Sequence, residues 1–221
     1  MSFLNYLSIP DFFNAPLAFQ SISKILAGFP LSLFLTIVSF LLALVLGLLL
    51  TLVRLSGNLL SRWLARAFIS FMRGVPMIVV LFVIYFGFQT NALPAAIISF
   101  TIVSSAFVSE VFRSAFLGIG QGQWEAARSL GMPYHVIIIE VVLPQAFRIA
   151  IPALGNILLD LFKATSLAAM ITVGEMFMDA QIIAGAKQDY MTVYITIAFI
   201  YWFFCWLMTI GQNCLENSIK Y

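Results

Sequence analysis

Two opposite charges interrupt an apolar segment in the second half of the chain. Asp160 and Lys163 lie there with Asn156, and their i, i+4 and i+7 spacing places all three side chains on one face of a helix. Charged groups within a bilayer are costly and usually face a cavity or a partner. The pair therefore has two interpretations. It is either an internal ion pair that neutralises both charges, or part of a polar face on which Asp160 binds a cationic group while Asn156 and Thr165 or Ser166 add hydrogen bonds.

A second set of charged residues lies at the ends of other apolar segments. Glu110 and Arg113 have i, i+3 spacing, so they can pair with each other or with Arg73, either as a gate or as a plain helix-end salt bridge. Glu175 and Asp179 have i, i+4 spacing in a predicted outer loop. They can contact an external partner, but solvated carboxylates are the interpretation that we favour there.

Residues for catalysis or metal binding form no recognisable pattern. His135 is the only histidine and lies outside the apolar segments, and no G-x-S-x-G occurs. None of the lysines follows a glycine, so the phosphate-binding pattern G-x-x-x-x-G-K-[ST] is absent. Cys205 and Cys214 lie within or at the end of an apolar segment, which indicates inert thiols. We expect no catalytic residue, no metal and no cofactor in this chain, and no enzyme activity.

The composition is that of a membrane protein. Hydrophobic residues make up 62% of the 221 residues and charged residues only 9%, against about 25% charged in ordinary soluble domains. The net charge of +2, without a basic cluster, gives no reason to expect a nucleic-acid partner. The first basic residue is Lys24, so we expect no cleaved signal peptide. The short and broken apolar segment before it predicts a surface or interfacial helix.

Several apolar segments are long enough to cross a bilayer, which takes about 20 residues in a helix. The sequence predicts an all-α polytopic protein with about five transmembrane helices in one membrane domain, residues 1–221. The predicted spans are residues 29–53, 67–88, 93–111, 147–172 and 190–210.

The basic residues predict how these spans are oriented, because Lys and Arg are enriched in cytoplasmic loops. Only Lys24 and Lys187 fall on one side of the five-span arrangement, and eight basic residues fall on the other. This places the N-terminus outside, and the C-terminus and the long 112–146 loop in the cytoplasm. The eight residues are Arg54, Arg62, Arg66, Arg73, Arg113, Arg128, Arg148 and Lys220.

The 112–146 loop contains signals for two short helices. Residues 123–130 are good helix formers, and Gly131 is a natural C-terminal stop. Pro133 suits the first turn of a second helix, whose apolar positions continue to Leu143-Pro144. Long loops without a function are uncommon. The pattern therefore predicts a helix–turn–helix that docks on a partner.

The loop resembles the EAA loop of ATP-binding-cassette import permeases. That loop has E-A-A, three residues, G, about nine residues and then L-P. In the family it forms coupling helices that sit in a cleft of the ATPase subunit. The residues that carry this resemblance, and to which it assigns ATPase coupling, are Glu125, Ala126, Ala127, Gly131, Leu143 and Pro144.

Other motifs resemble the polar amino acid branch of the same family. One departure is Ala164, which stands where the branch usually has an acid. The matching segments are Arg73-Gly74-Val75-Pro76, Glu110-Val111-Phe112-Arg113, Gly120-Gln121-Gly122-Gln123, Leu143-Pro144-Gln145-Ala146 with Arg148, Pro152 and Asn156, and Lys163-Ala164-Thr165-Ser166-Leu167.

The resemblance implies a type I importer fold in a bacterial inner membrane. It implies an amino acid importer that is driven by a dimeric ATPase holding ATP and Mg²⁺, a second permease subunit that is identical or paralogous, and an extracytoplasmic solute-binding protein. With a lone acid at Asp160, the implied substrate is a polar, basic or diamino acid: arginine, lysine, histidine, cystine or glutamine. The alternative is a secondary transporter or channel driven by ion gradients. It would need no EAA loop and would often show inverted repeats.

Overall fold

A computed structural model describes residues 13–219; the first twelve residues, Lys220 and Tyr221 lie outside this range. Within the described range the chain forms helices and no strand. In order, they are α1 Ala15–Ala27, α2 Phe29–Ser56, α3 Leu59–Gly74, α4 Met77–Phe82 with a π-turn Val83–Gly87, α5 Ala92–Leu117, α6 Gln121–Ser129, α7 Tyr134–Val136 with a π-turn Ile137–Val142, α8 Leu143–Ala164 with a 3₁₀ turn Thr165–Ile171, α9 Met176–Lys187 and α10 Tyr190–Ile219.

Four helical segments are long and apolar enough to span a membrane, and one bent pair, Leu59–Gly74 with Met77–Gly87, gives a fifth when the pair is counted as one span. This agrees with the predicted all-α fold of about five spans. The four segments are Phe29–Leu55, Ala92–Leu117, Tyr134–Ile171 and Tyr190–Ser218.

The predicted span 67–88 is not one helix. The chain bends by 105° between α3 and the segment Met77–Gly87. Val75 is extended, with φ −97° and ψ 132°. Pro76 explains the break, because a proline disfavours helical geometry in the residue before it and donates no backbone hydrogen bond.

The predicted loop 112–146 is largely helical, and the fourth span is longer than its predicted bounds of 147–172. α5 continues to Leu117, and one helical run extends from Tyr134 to Ile171. Pro144 does not end this run, although it has no N–H to donate. The π-turn that immediately precedes α8 accommodates the missing hydrogen bond.

The described part of the segment before Lys24 forms a helix, as the sequence predicts, whereas residues 1–12 of that segment lie outside the described range. The Asn14 side chain caps α1 by accepting a hydrogen bond from the backbone N–H of Leu17 at 3.0 Å. α1 packs against α9 and α10. Phe19 stays 76% exposed on its outer side, as expected for a helix with one face open to lipid or solvent.

α2 and α5 form the most extensive helix pair, and small residues let their backbones approach closely. A Cβ atom on Gly47 would lie 2.5 Å from a Val108 methyl carbon and 2.9 Å from the Ser105 carbonyl oxygen. The Thr51 hydroxyl lies 3.1 Å from that of Ser109 on the same interface. This packing through small and hydroxyl residues is typical of helix pairs in membranes.

Candidate functional site

The polar face of α8 contains an ion pair that remains open to its surroundings. The Lys163 Nζ lies 2.7 Å from Asp160 Oδ1, and the two side chains are 55% and 74% exposed. Asn156 is also exposed on α8. The pair predicted from the spacing therefore forms, but it is not sealed inside the chain, so both groups remain accessible to a ligand.

The 3₁₀ turn after α8 separates the two predicted hydroxyl residues. Thr165 is fully buried, and its hydroxyl donates to the Phe162 carbonyl oxygen at 2.8 Å. It therefore does not reach the polar face, contrary to the prediction. Ser166 donates to the Lys163 carbonyl oxygen at 2.8 Å. With Lys163, it lines a cleft of about 290 Å³ that also includes Tyr194 and Tyr201.

Glu110 is the centre of a cluster of arginines at the end of α5. Its carboxylate lies 2.7 Å from Arg113 and 3.8 Å from Arg73, so both predicted partners are present. Sequence reasoning missed a third partner, Arg54 on α2, which also lies 2.7 Å away. The available signal was that Arg54 and Glu110 were predicted at the same end of their spans. The Arg73 guanidinium also lies 5.8 Å from the centre of the Phe107 ring.

Glu175 is completely buried, so the prediction of a solvated carboxylate is wrong. It accepts hydrogen bonds from the Ser32 hydroxyl at 3.3 Å and the Tyr201 hydroxyl at 3.0 Å. It also caps α9, because the backbone N–H of Met178 donates to it at 2.9 Å. Burial raises the pKa of the Glu175 carboxyl, although hydrogen bonds to Glu175 oppose the shift. Glu175 thus connects α2, α9 and α10.

Asp179, one turn further along α9, is half-buried beside the junction of α1 and α2. A Cβ atom on Gly28 would lie 2.5 Å from the backbone nitrogen of Met176 and 2.9 Å from Asp179 Oδ2. Burial raises the pKa of the Asp179 carboxyl as well. The two acids of the predicted outer loop therefore pack within the protein.

The region between α5 and α8 folds as a helix–turn–helix, as the sequence predicts. Gly131 has a left-handed φ of +73°. The N–H of Met132 donates to the Ala127 carbonyl at 3.2 Å, and that of Gly131 donates to the Arg128 carbonyl at 2.9 Å. These two bonds form a Schellman motif, which ends α6 and reverses the chain.

The motif residues of this region have different exposures. Glu125 and Ala126 are exposed on α6, whereas Ala127 is buried against a cluster that includes Ile137 and Val142. Leu143 and Pro144 begin α8, where Leu143 is half-buried and Pro144 is exposed. Ala127 therefore holds the two short helices together, and Glu125 and Ala126 face outward.

Two further contacts stabilise this hairpin. The ring of Trp124 stacks on that of Tyr134, with 6.4 Å between the ring centres. The Gln145 amide donates to the Gln123 side chain at 3.3 Å. Leu130 is left 81% exposed at the turn.

Residues 13–219 contain no group of three or more His, Cys, Asp and Glu side chains that could hold a metal ion. Cys205 and Cys214 are free thiols. His135 is exposed on α7.

A bundle of apolar helices with a braced, outward-facing hairpin defines a polytopic membrane protein. Residues 43–221 match the family described as binding-protein-dependent transport system inner membrane component. The chain belongs to this family and is thus a multi-pass component of an inner-membrane transport system.

Curated relatives extend this similarity along the chain. A probable amino-acid ABC transporter permease protein, YckA of Bacillus subtilis (strain 168), is 45% identical over 220 residues, covering 97% of both chains. The L-cystine transport system permease protein TcyB of the same organism is 38% identical over 191 residues, covering 84% of this chain and 82% of its own.

Solved structures share the fold. A chain in the crystal structure of an amino acid ABC transporter with histidines has a TM-score of 0.83 at 27% identity, with 99% of each chain covered. A chain of the inward-facing MetNI methionine ABC transporter has a TM-score of 0.72 at 21% identity, covering 95% of this chain and 100% of its own. The helix arrangement is therefore that of ABC importer permeases.

Proposed function

We propose that this chain is the transmembrane subunit of an ATP-driven amino acid importer, and that it couples transport to a separate ATPase through the α6–α7 hairpin. The observation that carries the proposal is this hairpin. It presents Glu125 and Ala126 outward on a helix that ends at a left-handed Gly131. A short, braced helix can transmit a push from a partner into the continuous helix that begins at Tyr134.

The energy source is a partner chain. The sequence contains no phosphate-binding glycine–lysine pattern, so ATP and Mg²⁺ would be held by a docked ATPase dimer. The subunit would transport but not hydrolyse. Two permease subunits, identical or paralogous, would enclose one pathway, and rocking of the two halves would give alternating access. An extracytoplasmic binding protein would deliver the substrate.

The orientation follows from the charge asymmetry. Arg128 and Arg148 belong to the hairpin region, and Arg54, Arg73 and Arg113 surround Glu110 near the end of α5 that leads to the hairpin. Cytoplasmic enrichment of basic residues places this side, with the C-terminus, in the cytoplasm and the N-terminus outside.

The substrate would contact the polar face of α8. An exposed carboxylate that is paired with a neighbouring lysine can exchange that ammonium for the ammonium of an incoming amino acid. Asp160 is 74% exposed, so this exchange requires no unfolding. Ser166 and Asn156 lie on or beside the same face and could add hydrogen bonds. Arginine, lysine, histidine, cystine and glutamine all carry nitrogen groups suited to this acid. Cystine, arginine and glutamine also appear in the names of relatives.

Two matched variants test the role of Asp160. In the assembled transporter, Asp160→Asn should abolish the stimulation of ATP hydrolysis by substrate-loaded binding protein while leaving assembly intact. Lys163→Met also breaks the ion pair but keeps the acid, so it should retain stimulation. If Asp160 only neutralises Lys163, the two variants will behave alike, and unchanged stimulation in Asp160→Asn would refute substrate binding there. A thermal-shift screen of the complex against amino acids would identify the substrate.

A further inference from the structure

α3 presents three different faces. Its inner face, which includes Ala65 and Ile69, is buried against α2 and α5. A second face carries Arg62, Arg66 and Arg73, which fall within about 40° of one another at the 100° per residue of an α-helix. α3 contains no acidic residue. The arginines therefore border the buried face, with Arg62 about 20° from Ile69 on the helical wheel, and Arg62 and Arg66 remain exposed.

The third face of α3 is apolar and uncovered. Leu60, Trp63, Leu64 and Phe71 are 67%, 64%, 52% and 62% exposed. On a helical wheel Leu60, Leu64 and Phe71 lie opposite the arginines, and Trp63 lies between the two groups. Such a concentration of exposed apolar side chains marks an interaction surface. No described residue of this chain covers it.

The contacts at the ends of α3 show how the helix is placed. Arg54 lies near the end of α2 and Arg73 near the end of α3, and both reach Glu110. Only Gly57 and Asn58 separate α2 from α3, so the first residues of α3 lie near Arg54. The two ends of α3 are therefore at a similar depth along the axis of the helix bundle. Sixteen residues of helix span about 24 Å. α3 must therefore run largely across the bundle, and the 105° bend after it turns the chain back into the bundle.

We propose that α3 lies in the headgroup region of one leaflet and binds anionic phospholipids. Leu60, Leu64 and Phe71 insert below the headgroups, Trp63 sits at the interface, and Arg62 and Arg66 contact lipid phosphates. Amphipathic helices with a basic face and Trp, Phe and Leu on the other face bind membranes in this way. The leaflet is cytoplasmic if the proposed orientation holds, and the cytoplasmic leaflet is the one rich in anionic lipid.

Charge complementarity favours lipid over a second copy of the chain or another protein. Neither Arg62 nor Arg66 forms an ion pair with any residue in the range 13–219. A guanidinium forms strong paired hydrogen bonds with phosphate, so lipid headgroups would satisfy both groups. The apolar face on the opposite side of α3 would then rest on acyl chains, which no soluble partner would supply.

Quenching of Trp63 by brominated lipid tests this proposal in the full chain. Nanodiscs would contain equal amounts of phosphatidylglycerol and phosphatidylcholine, with bromine on the acyl chains of one or the other. The difference between wild type and Trp63→Phe isolates the Trp63 signal from Trp124, Trp202 and Trp206. We expect brominated phosphatidylglycerol to be enriched at Trp63 by about fivefold, which is the effect of one well-placed arginine at an anionic surface.

Matched variants separate specific binding from general attraction. Arg62→Gln with Arg66→Gln should abolish the preference for phosphatidylglycerol. Arg128→Gln with Arg148→Gln removes the same charge elsewhere and should leave the preference unchanged. Quenching of the other three tryptophans reports that each variant is folded and inserted. Equal quenching of wild-type Trp63 by both lipids would overturn the lipid specificity. No quenching by either lipid would show that protein covers α3, and would overturn the proposal as a whole.

Discussion

The Tyr201 hydroxyl donates a hydrogen bond to the Glu175 carboxylate at 3.0 Å, and this bond joins the start of α9 to α10. Ser32 of α2 donates to the same carboxylate oxygen. α2, which is distant in sequence, therefore meets α9 and α10 at one buried acid.

The stability of the protein should depend on pH through Glu175. Burial raises its pKa above the ordinary value of 4.5, so the folded chain keeps the proton where the unfolded chain releases it. The stabilisation by this group is complete below about pH 4.5 and is lost as the pH rises through the raised value. Glu175→Gln cannot titrate. The difference between the thermal unfolding midpoints of Glu175→Gln and wild type, measured in detergent, should therefore increase from pH 4 to pH 8 in favour of the variant.

Tyr201→Phe is the control for this prediction. It removes one hydrogen bond, worth about 1 kcal/mol, and leaves the carboxyl in place. Its unfolding midpoint should be lower than that of wild type, but the dependence on pH should persist. If the midpoints of wild type and Glu175→Gln change in parallel with pH, the pKa of Glu175 is the same in the folded and the unfolded chain, and the prediction is wrong.

The α2–α5 interface should tolerate no side chain at position 47. Gly47→Ala places a methyl group against Val108 and the Ser105 carbonyl, so we expect destabilisation of about 1–3 kcal/mol. Gly211→Ala is the matched control, because Gly211 lies in α10 with open space around it. There alanine should be neutral or stabilising by up to about 1 kcal/mol. The free energy of unfolding would be measured in mixed micelles. Equal changes for Gly47→Ala and Gly211→Ala would contradict the close approach of α2 and α5 at Gly47.

A double-mutant cycle should detect the Arg54–Glu110 pair. The two side chains are only 14% and 21% exposed and lie 2.7 Å apart, so their coupling energy should be about 1–3 kcal/mol. The cycle between Arg73 and Glu110 serves as the control. Arg73 is 48% exposed and 3.8 Å away, and its coupling should stay below about 1 kcal/mol. If the coupling energy of Arg73 with Glu110 equals that of Arg54 with Glu110, the shorter distance and deeper burial of the Arg54 pair do not strengthen it, and the prediction is wrong.

The proposed orientation can be checked with single cysteines. Cys205 and Cys214 are first replaced by serine. A membrane-impermeant maleimide applied to intact spheroplasts should then label Lys187→Cys, at the end of α9, but not Ser129→Cys at the end of α6. Both positions are exposed, so access to the reagent differs only by side. Inside-out vesicles should give the opposite result, and labelling of Ser129→Cys in intact spheroplasts would reverse the assignment.

Local features of this protein were predictable from the sequence because their causes are local. Apolar length identifies the long helices, and Gly131 ends α6 because only a left-handed residue completes its C-terminal hydrogen bonds. The break before Pro76 obeys a rule that acts on a single neighbouring residue. The continuous hydrophobicity around it concealed the break when spans were assigned by length alone.

The contacts of Glu175 and Arg54 were not predictable because they are long-range. Ser32 and Glu175 are 143 positions apart, and Arg54 and Glu110 are 56 apart. Which helices become neighbours depends on how the whole bundle packs, and spacing along one helix carries no information about it. Thr165 is different, because helix geometry alone argues against its predicted role: at 100° per residue it lies about 140° from Asp160, on the opposite face of α8.

ATP-driven uptake tests the central claim most directly. Proteoliposomes would contain this chain, its ATPase and its binding protein, with ATP on the side of the hairpin. Gly131→Asn keeps access to the left-handed conformation, whereas Gly131→Val does not. We predict ATP-dependent amino acid uptake for wild type and Gly131→Asn, strong loss of uptake for Gly131→Val with the ATPase still bound, and no uptake from an ion gradient alone. Uptake driven by an ion gradient without ATP, or full ATP-driven uptake by Gly131→Val, would contradict the account.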